Sequence, residues 1–334
     1  MTVTQDGLVR TFSTQHDPSL RRLGGFESWC FGVAYSHDGK RIAVGSGDGT
    51  VAIFDAASLE RTGVVSNESR NFRTRALTFL RDGRTLIAGG QNGIVQIIDA
   101  ADATVITELG VPGAEIFSMA TNQDETLLAV GNAEGFVRVW DLATRRPLRT
   151  LAPLDRRVEG MDFAMDGSTL VTSGRRAGLR AYNAATGEVL AQIPTRAMPW
   201  AVAFSPDGKT LIASTQNGTV ERFNWPSMER RDEITAHQIL IPALSFSPDG
   251  SLFATGSEDG AVRLWNSVSG RLLVTLDPDG SQVVTVAFDP SSRYLAASTS
   301  LRFTGVYDLR AMDPYIEGNR AYHESRLKPA VTQP

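Results

Sequence analysis

The chain has 334 residues and a formal net charge of −4, with 42% hydrophobic and 21% charged residues. That is the composition of a globular protein able to bury a sizeable core, and it lacks the basic excess of a general nucleic-acid binder. Cys30 is the only cysteine, which excludes an intrachain disulfide framework and a cysteine-based zinc site, and no apolar run is long enough for a membrane-spanning helix.

In chain order, the first segment with structure is QDGLVRTF at 5–12, a glycine-containing turn followed by an alternating stretch. MTVTQDGLVRTFST carries no apolar core of a signal peptide, so a cytoplasmic location is expected. SLRRLG follows at 19–24 as a short strand. The shape of QDGLVRTF then recurs as GDGTVAIF at 47–54, QNGIVQII at 91–98 and EDGAVRLW at 258–265. Turn residues keep the same beat: Asp38, Asp82, Asp124, Asp166, Asp207, Asp249 and, more loosely, Ser291 lie 41 to 44 residues apart. Repeat units fall near 28–66, 73–110, 114–152, 156–194, 196–236, 238–277 and 281–312. A polar tail, 313–334, follows.

Each unit has one grammar. In AVAFSPDGKTLIAST (201–215) an apolar run enters a Ser-Pro-Asp-Gly turn, where proline presets φ and glycine takes the positive φ that follows. A second apolar run, an Asx-Gly turn, a third strand ending on an aromatic, and a fourth strand such as GRLLVTL (270–276) complete it. Short β-runs joined by tight turns predict consecutive antiparallel hairpins. One such sheet cannot bury both faces; seven arranged radially cover one another.

With VRVWD (137–141), VRLWN (262–266) and the SPDG and GSEDG turns, the sequence resembles the WD40-repeat β-propellers over roughly residues 5–310. The resemblance implies an all-β, seven-bladed propeller of four-stranded antiparallel blades, its ring closed by N-terminal sequence completing the last blade. SLRRLG is expected as the fourth strand there. FTGVYDL (303–309) and QDGLVRTF both fit the third position; FTGVYDL is expected to hold it, with QDGLVRTF at an edge.

His237, Ser257 and Asp259 suggest a hydrolase triad at first sight. With Trp265, however, they match the structural hydrogen-bond chain of a WD40 blade position by position, and that is the expected role. Blade 3 keeps Trp140 but has Glu134 at the turn, and blade 1 has Phe54 in place of tryptophan. The four histidines show no paired spacing and no phosphate-binding glycine motif occurs, so neither metal, cofactor nor catalytic residues are expected.

Two residues ahead of each first-strand hydrophobe stand Phe31, Arg75, Phe117, Glu159, Trp200, Pro242 and Val284. In the family fold these positions ring one mouth of the central channel. Aromatics and arginine dominate binding hot spots, so Phe31, Phe117 and Trp200 are candidate partner contacts; packing into the blades is the alternative. Arg156 and Arg157 enter blade 4, Arg175 and Arg176 occupy its second-to-third-strand turn, and Arg73 and Arg75 extend the patch from blade 2. Four guanidiniums there suit a carboxylate- or phosphate-bearing partner; a solvated cluster balanced by Asp155 and Glu159 is the alternative. The expectation is a monomeric, non-catalytic scaffold that binds a protein or peptide and neither nucleic acid nor membrane. A lactonase-like hydrolytic propeller and a module of a larger bacterial signalling regulator are the rival readings.

Overall fold

The structure is a computed structural model describing residues 20–66, 73–110, 115–175 and 178–312. QDGLVRTF, Arg176 and the tail from 313 onward lie outside the described residues.

The chain forms seven four-stranded antiparallel sheets. Blade 1 comprises Cys30–Tyr35, Arg41–Ser46, Thr50–Asp55 and Arg61–Ser66; blade 2 comprises Thr74–Phe79, Thr85–Gly90, Ile94–Asp99 and Thr104–Gly110. Blade 3 comprises Ile116–Thr121, Leu127–Asn132, Val137–Asp141 and Arg146–Thr150; blade 4 comprises Val158–Phe163, Thr169–Gly174, Gly178–Asn183 and Val189–Ile193. Blade 5 comprises Pro199–Phe204, Thr210–Thr215, Thr219–Asn224 and Arg230–Thr235; blade 6 comprises Ala243–Phe246, Leu252–Gly256, Val262–Asn266 and Leu272–Leu276. Blade 7 takes Val283–Phe288, Tyr294–Thr299 and Thr304–Asp308, and its fourth strand is Leu20–Leu23. First strands of successive blades touch around a complete circuit, blade 7 meeting blade 1.

Side-chain chemistry explains the layering. The second strand of blade 5, TLIAST, is buried at five consecutive positions because a blade covers each of its faces. Its fourth strand, RRDEIT, alternates half-buried and exposed, as an outer strand with one wet face should. The intervening turns are built as their residues require. The Ser205 hydroxyl donates to Asp207 at 2.5 Å, the Lys209 N–H donates to the same carboxylate at 3.0 Å, and Gly208 supplies φ +67°.

Blade-on-blade packing is close enough to demand glycine at one strand position. A Cβ on Gly131 of blade 3 would lie 2.8 Å from Val158 Cβ of blade 4.

At the join, the third slot of blade 7 belongs to Thr304–Asp308, within FTGVYDL, and Leu20–Leu23 pairs with it in the register Leu20↔Tyr307 and Leu23↔Thr304. Leu23 is fully buried against Val306 and Ala296 of blade 7 and Ile42 and Phe54 of blade 1. The closing strand therefore fills a core as well as a hydrogen-bond ladder. Among the described residues, no helix is long and apolar enough to cross a membrane.

Candidate functional site

The first strands share an irregularity that fixes where their side chains go. In six of the seven blades the antiparallel register between first and second strand slips near the start of the first strand, between Cys30 and Gly32, Thr74 and Ala76, Ile116 and Ser118, Val158 and Gly160, Pro199 and Val202, and Val283 and Thr285. The residues left out of pairing include Phe31, Arg75, Phe117, Glu159, Trp200 and Val284. A β-bulge re-aims the side chain it leaves unpaired. All six, together with Pro242 ahead of the first strand of blade 6, line one cavity of about 300 Å³ at the channel mouth. Trp29, Leu240, Glu258 and Gln282 complete much of its wall.

Around blades 1 to 5 the aromatics and arginines interleave. The Arg75 guanidinium lies 4.8 Å from the Phe31 ring centre and 4.7 Å from that of Phe117. Arg157 sits 4.2 Å from Phe117 and 5.3 Å from Trp200, and Arg175 sits 5.6 Å from Trp200. Trp29, 48% exposed, extends the row at 5.9 Å from Phe31. Each such cation–π contact is worth about 0.5–2 kcal/mol, rising as water is excluded. Phe31, Phe117 and Trp200 are all half-buried: packed by guanidiniums, yet reachable from the cavity.

Carboxylates hold the arginines in this pose. Glu159, buried, accepts the Arg157 Nε–H at 2.8 Å and the Arg175 Nε–H at 2.9 Å on a single oxygen. Arg75 Nε lies 3.2 Å from Glu115. Burial pulls the Arg75 guanidinium below its ordinary range, against Glu115, which holds it up. Four guanidiniums were expected at blade 4, either open to a partner or balanced by Asp155 and Glu159. Two of them, Arg157 and Arg175, are paired with Glu159, which the bulge turns inward between them, and stacked on the aromatics. Arg73 and Arg156 are exposed, and Arg176 lies outside the described residues.

The hydrogen-bond chain of blade 6 corrects one expected member. Trp265 Nε1–H donates to Thr255 Oγ1 at 3.0 Å, Thr255 Oγ1 lies 2.7 Å from His237 Nε2, and His237 Nδ1 lies 3.0 Å from Asp259. An indole N–H can only donate and a carboxylate only accept, so the chain runs from Trp265 through Thr255 and neutral His237 to Asp259. The bridging hydroxyl is that of Thr255, not Ser257. Side chains two apart share a strand face, but the second strand ends at Gly256, so Ser257 belongs to the turn. There its hydroxyl donates to the Leu240 carbonyl at 2.9 Å and accepts the Asp259 N–H at 3.1 Å. In blade 3 the position of Thr255 is Val130, and the Trp140 N–H is buried with no partner among the described residues.

This chain of residues is enclosed in the blade. Burial holds His237 below its ordinary pKa, against the pull of Asp259. Asp259 is raised by burial but lowered more by His237 and by the Ala261 N–H, to about 2. Among the described residues no group of three His, Cys, Asp or Glu is placed to hold a metal ion.

Comparison with known proteins agrees with the geometry. The family signature "WD domain, G-beta repeat" matches residues 18–55, 104–141, 193–223 and 229–266. Three of these windows begin on the fourth strand of one blade and run through the first three of the next, so the sequence repeat is offset from the blade by one strand. The protein groucho of Drosophila melanogaster is 24% identical over 309 residues, covering 91% of this chain and 42% of its own. The transcription factor unc-37 of Caenorhabditis elegans is 24% identical over 267 residues, covering 77% and 43%. The WD repeat-containing protein 55 of Arabidopsis thaliana is 24% identical over 199 residues, covering 58% and 56%. The chain spans about half the length of the curated relatives it matches. Seven blades of this topology, with repeats in this phase, make the chain a member of the WD40-repeat β-propeller family.

Proposed function

We propose that the chain is a non-catalytic scaffold that holds a protein or peptide on the channel-mouth face. The observation that carries this reading is the mouth itself. Six of the seven first strands bulge at the same place, and the residues so presented include three half-buried aromatics around one cavity. Large, rigid, partly exposed aromatics on a fixed frame are what hot spots are made of, and guanidinium stacking already holds them in place without a ligand, which lowers the entropic cost of binding. Likeness to a transcription factor supports a role in assembly over one in turnover.

Affinity capture compares the wild type with a Phe31→Ser, Phe117→Ser, Trp200→Ser variant shown by circular dichroism to be folded. A partner retained by the wild type and lost by the variant supports the reading; identical capture by both overturns it. The same reading makes the propeller monomeric and cytoplasmic, which sedimentation and cell fractionation check. A nuclear fraction would move its partner to that compartment.

A further inference from the structure

The mouth cavity has a neighbour. A groove of about 590 Å³ opens beside it between blades 4 and 5, lined among others by Arg175, Gln192, Ile193, Arg196, Met198 and Pro199. Among the described residues, its walls carry two guanidiniums and no carboxylate. Arg175 and Trp200 divide the two spaces: Trp200 lines the mouth, Arg175 lines the groove, and the two side chains stack at 5.6 Å.

Arg175 and the backbone that carries Arg196 are fixed by partners outside the groove, while the Arg196 side chain is 70% exposed. Arg175 spends its Nε–H on Glu159, and its two Nη groups make no hydrogen bond among the described residues. The Arg196 N–H donates to Glu221 at 2.7 Å, which pins the loop, and its Nη1 lies 3.3 Å from Glu233. The remaining Arg175 donors are thus preorganised, with Arg196 free to close on a ligand beside them, and guanidinium donors match a carboxylate in geometry and charge.

We propose that the groove is the acidic half of a two-point peptide site. An apolar side chain of an extended peptide enters the mouth cavity, and a nearby Asp or Glu side chain of the same peptide is held by Arg175 and Arg196 across the Trp200 divide. This rests on the mouth being the binding face. Glu159 is shared between Arg157 and Arg175, which leaves about one positive charge unmatched there, while Glu233 balances Arg196; that residual attraction matches a single negative charge better than the nearly double charge of a phosphate.

The test is a library of short fluorescein-labelled peptides with one fixed leucine and all other positions varied, read by fluorescence polarisation. The best binder is then remade with its acidic residue as the amide and as phosphoserine. The acidic peptide is expected to bind about tenfold tighter than its amide, less so at high salt. Arg175→Gln should erase that preference by weakening the acidic peptide more than its amide, and Arg175→Lys should restore part of it. Selection for apolar residues without an acidic preference, still lost in Trp200→Ser, would sink the groove proposal and leave the binding face standing. A preference for phosphoserine would also sink it, in favour of a phosphopeptide. Failure of the library to select any peptide, with partner capture unchanged in the triple aromatic variant, would overturn both.

Discussion

Thr255 shows how a single hydroxyl can tie four side chains. Replacing it with valine keeps the shape and leaves Trp265 N–H without an acceptor and His237 Nε2 without a donor, so a loss of about 2 kcal/mol is expected in denaturant unfolding. Ser257→Ala removes one hydroxyl at a turn and should cost less, about 1 kcal/mol. A larger loss at Ser257 would show that the chain runs through the turn. The same logic in reverse applies to blade 3, where Val130→Thr would give the orphaned Trp140 N–H an acceptor and stabilise the blade by about 1 kcal/mol. The network also sets an acid limit. Because folding holds His237 below its ordinary value of 6.5, the folded state resists its protonation; that contribution is complete above the unfolded pKa and is lost as pH falls below it. Asp259, held at about 2 instead of 3.8, contributes above pH 3.8 and loses that contribution between the two values. Thermal stability should therefore fall between neutral pH and pH 5, and His237→Gln should flatten that part of the profile. At this scale the sequence named His237, Asp259 and Trp265 but misassigned the bridge, since Thr255 and Ser257 share a face and only the strand's end separates their roles.

Strands and turns were the most legible level, because the turn grammar of Asp207 and its counterparts repeats at a nearly fixed interval. The third strand of the closing blade could be read from FTGVYDL even without an Asx-Gly turn, since its alternation and phase survive. The bulges were not legible: nothing in CFGVAY or IFSMAT distinguishes a bulged strand from the regular first strand of blade 6. Close packing makes Gly131 a sensitive point. Gly131→Val would press its side chain into Val158 and cost about 1–3 kcal/mol or more, seen as a lowered denaturation midpoint with an unchanged slope. Leu23→Ala should cost about 2–5 kcal/mol by leaving a cavity where blades 7 and 1 meet. It should also loosen the strand that covers Thr304–Asp308, exposing an edge that recruits other chains; light scattering on heating should rise earlier than in the wild type. If Leu23→Ala unfolds at the wild-type midpoint, the closing strand contributes nothing to the ring.

The whole molecule is a closed circuit that converts seven local accidents of sequence into one composed surface. Positions some 42 residues apart become neighbours, so Arg75 lies between Phe31 and Phe117 without any short motif announcing it. The ring positions were legible as a register, whereas the burial of Glu159 under two arginines and the groove behind Trp200 depend on side-chain directions that spacing does not encode. On the proposed reading, partners bind where these positions converge. The most direct measurement places a photo-crosslinking phenylalanine analogue at Val284, on the mouth, or at Ala57, beside the separate cavity at the seam of blades 1 and 7, and irradiates each with the captured partner. Crosslinks are expected from position 284 and none from position 57; crosslinks from 57 alone would overturn binding at the mouth.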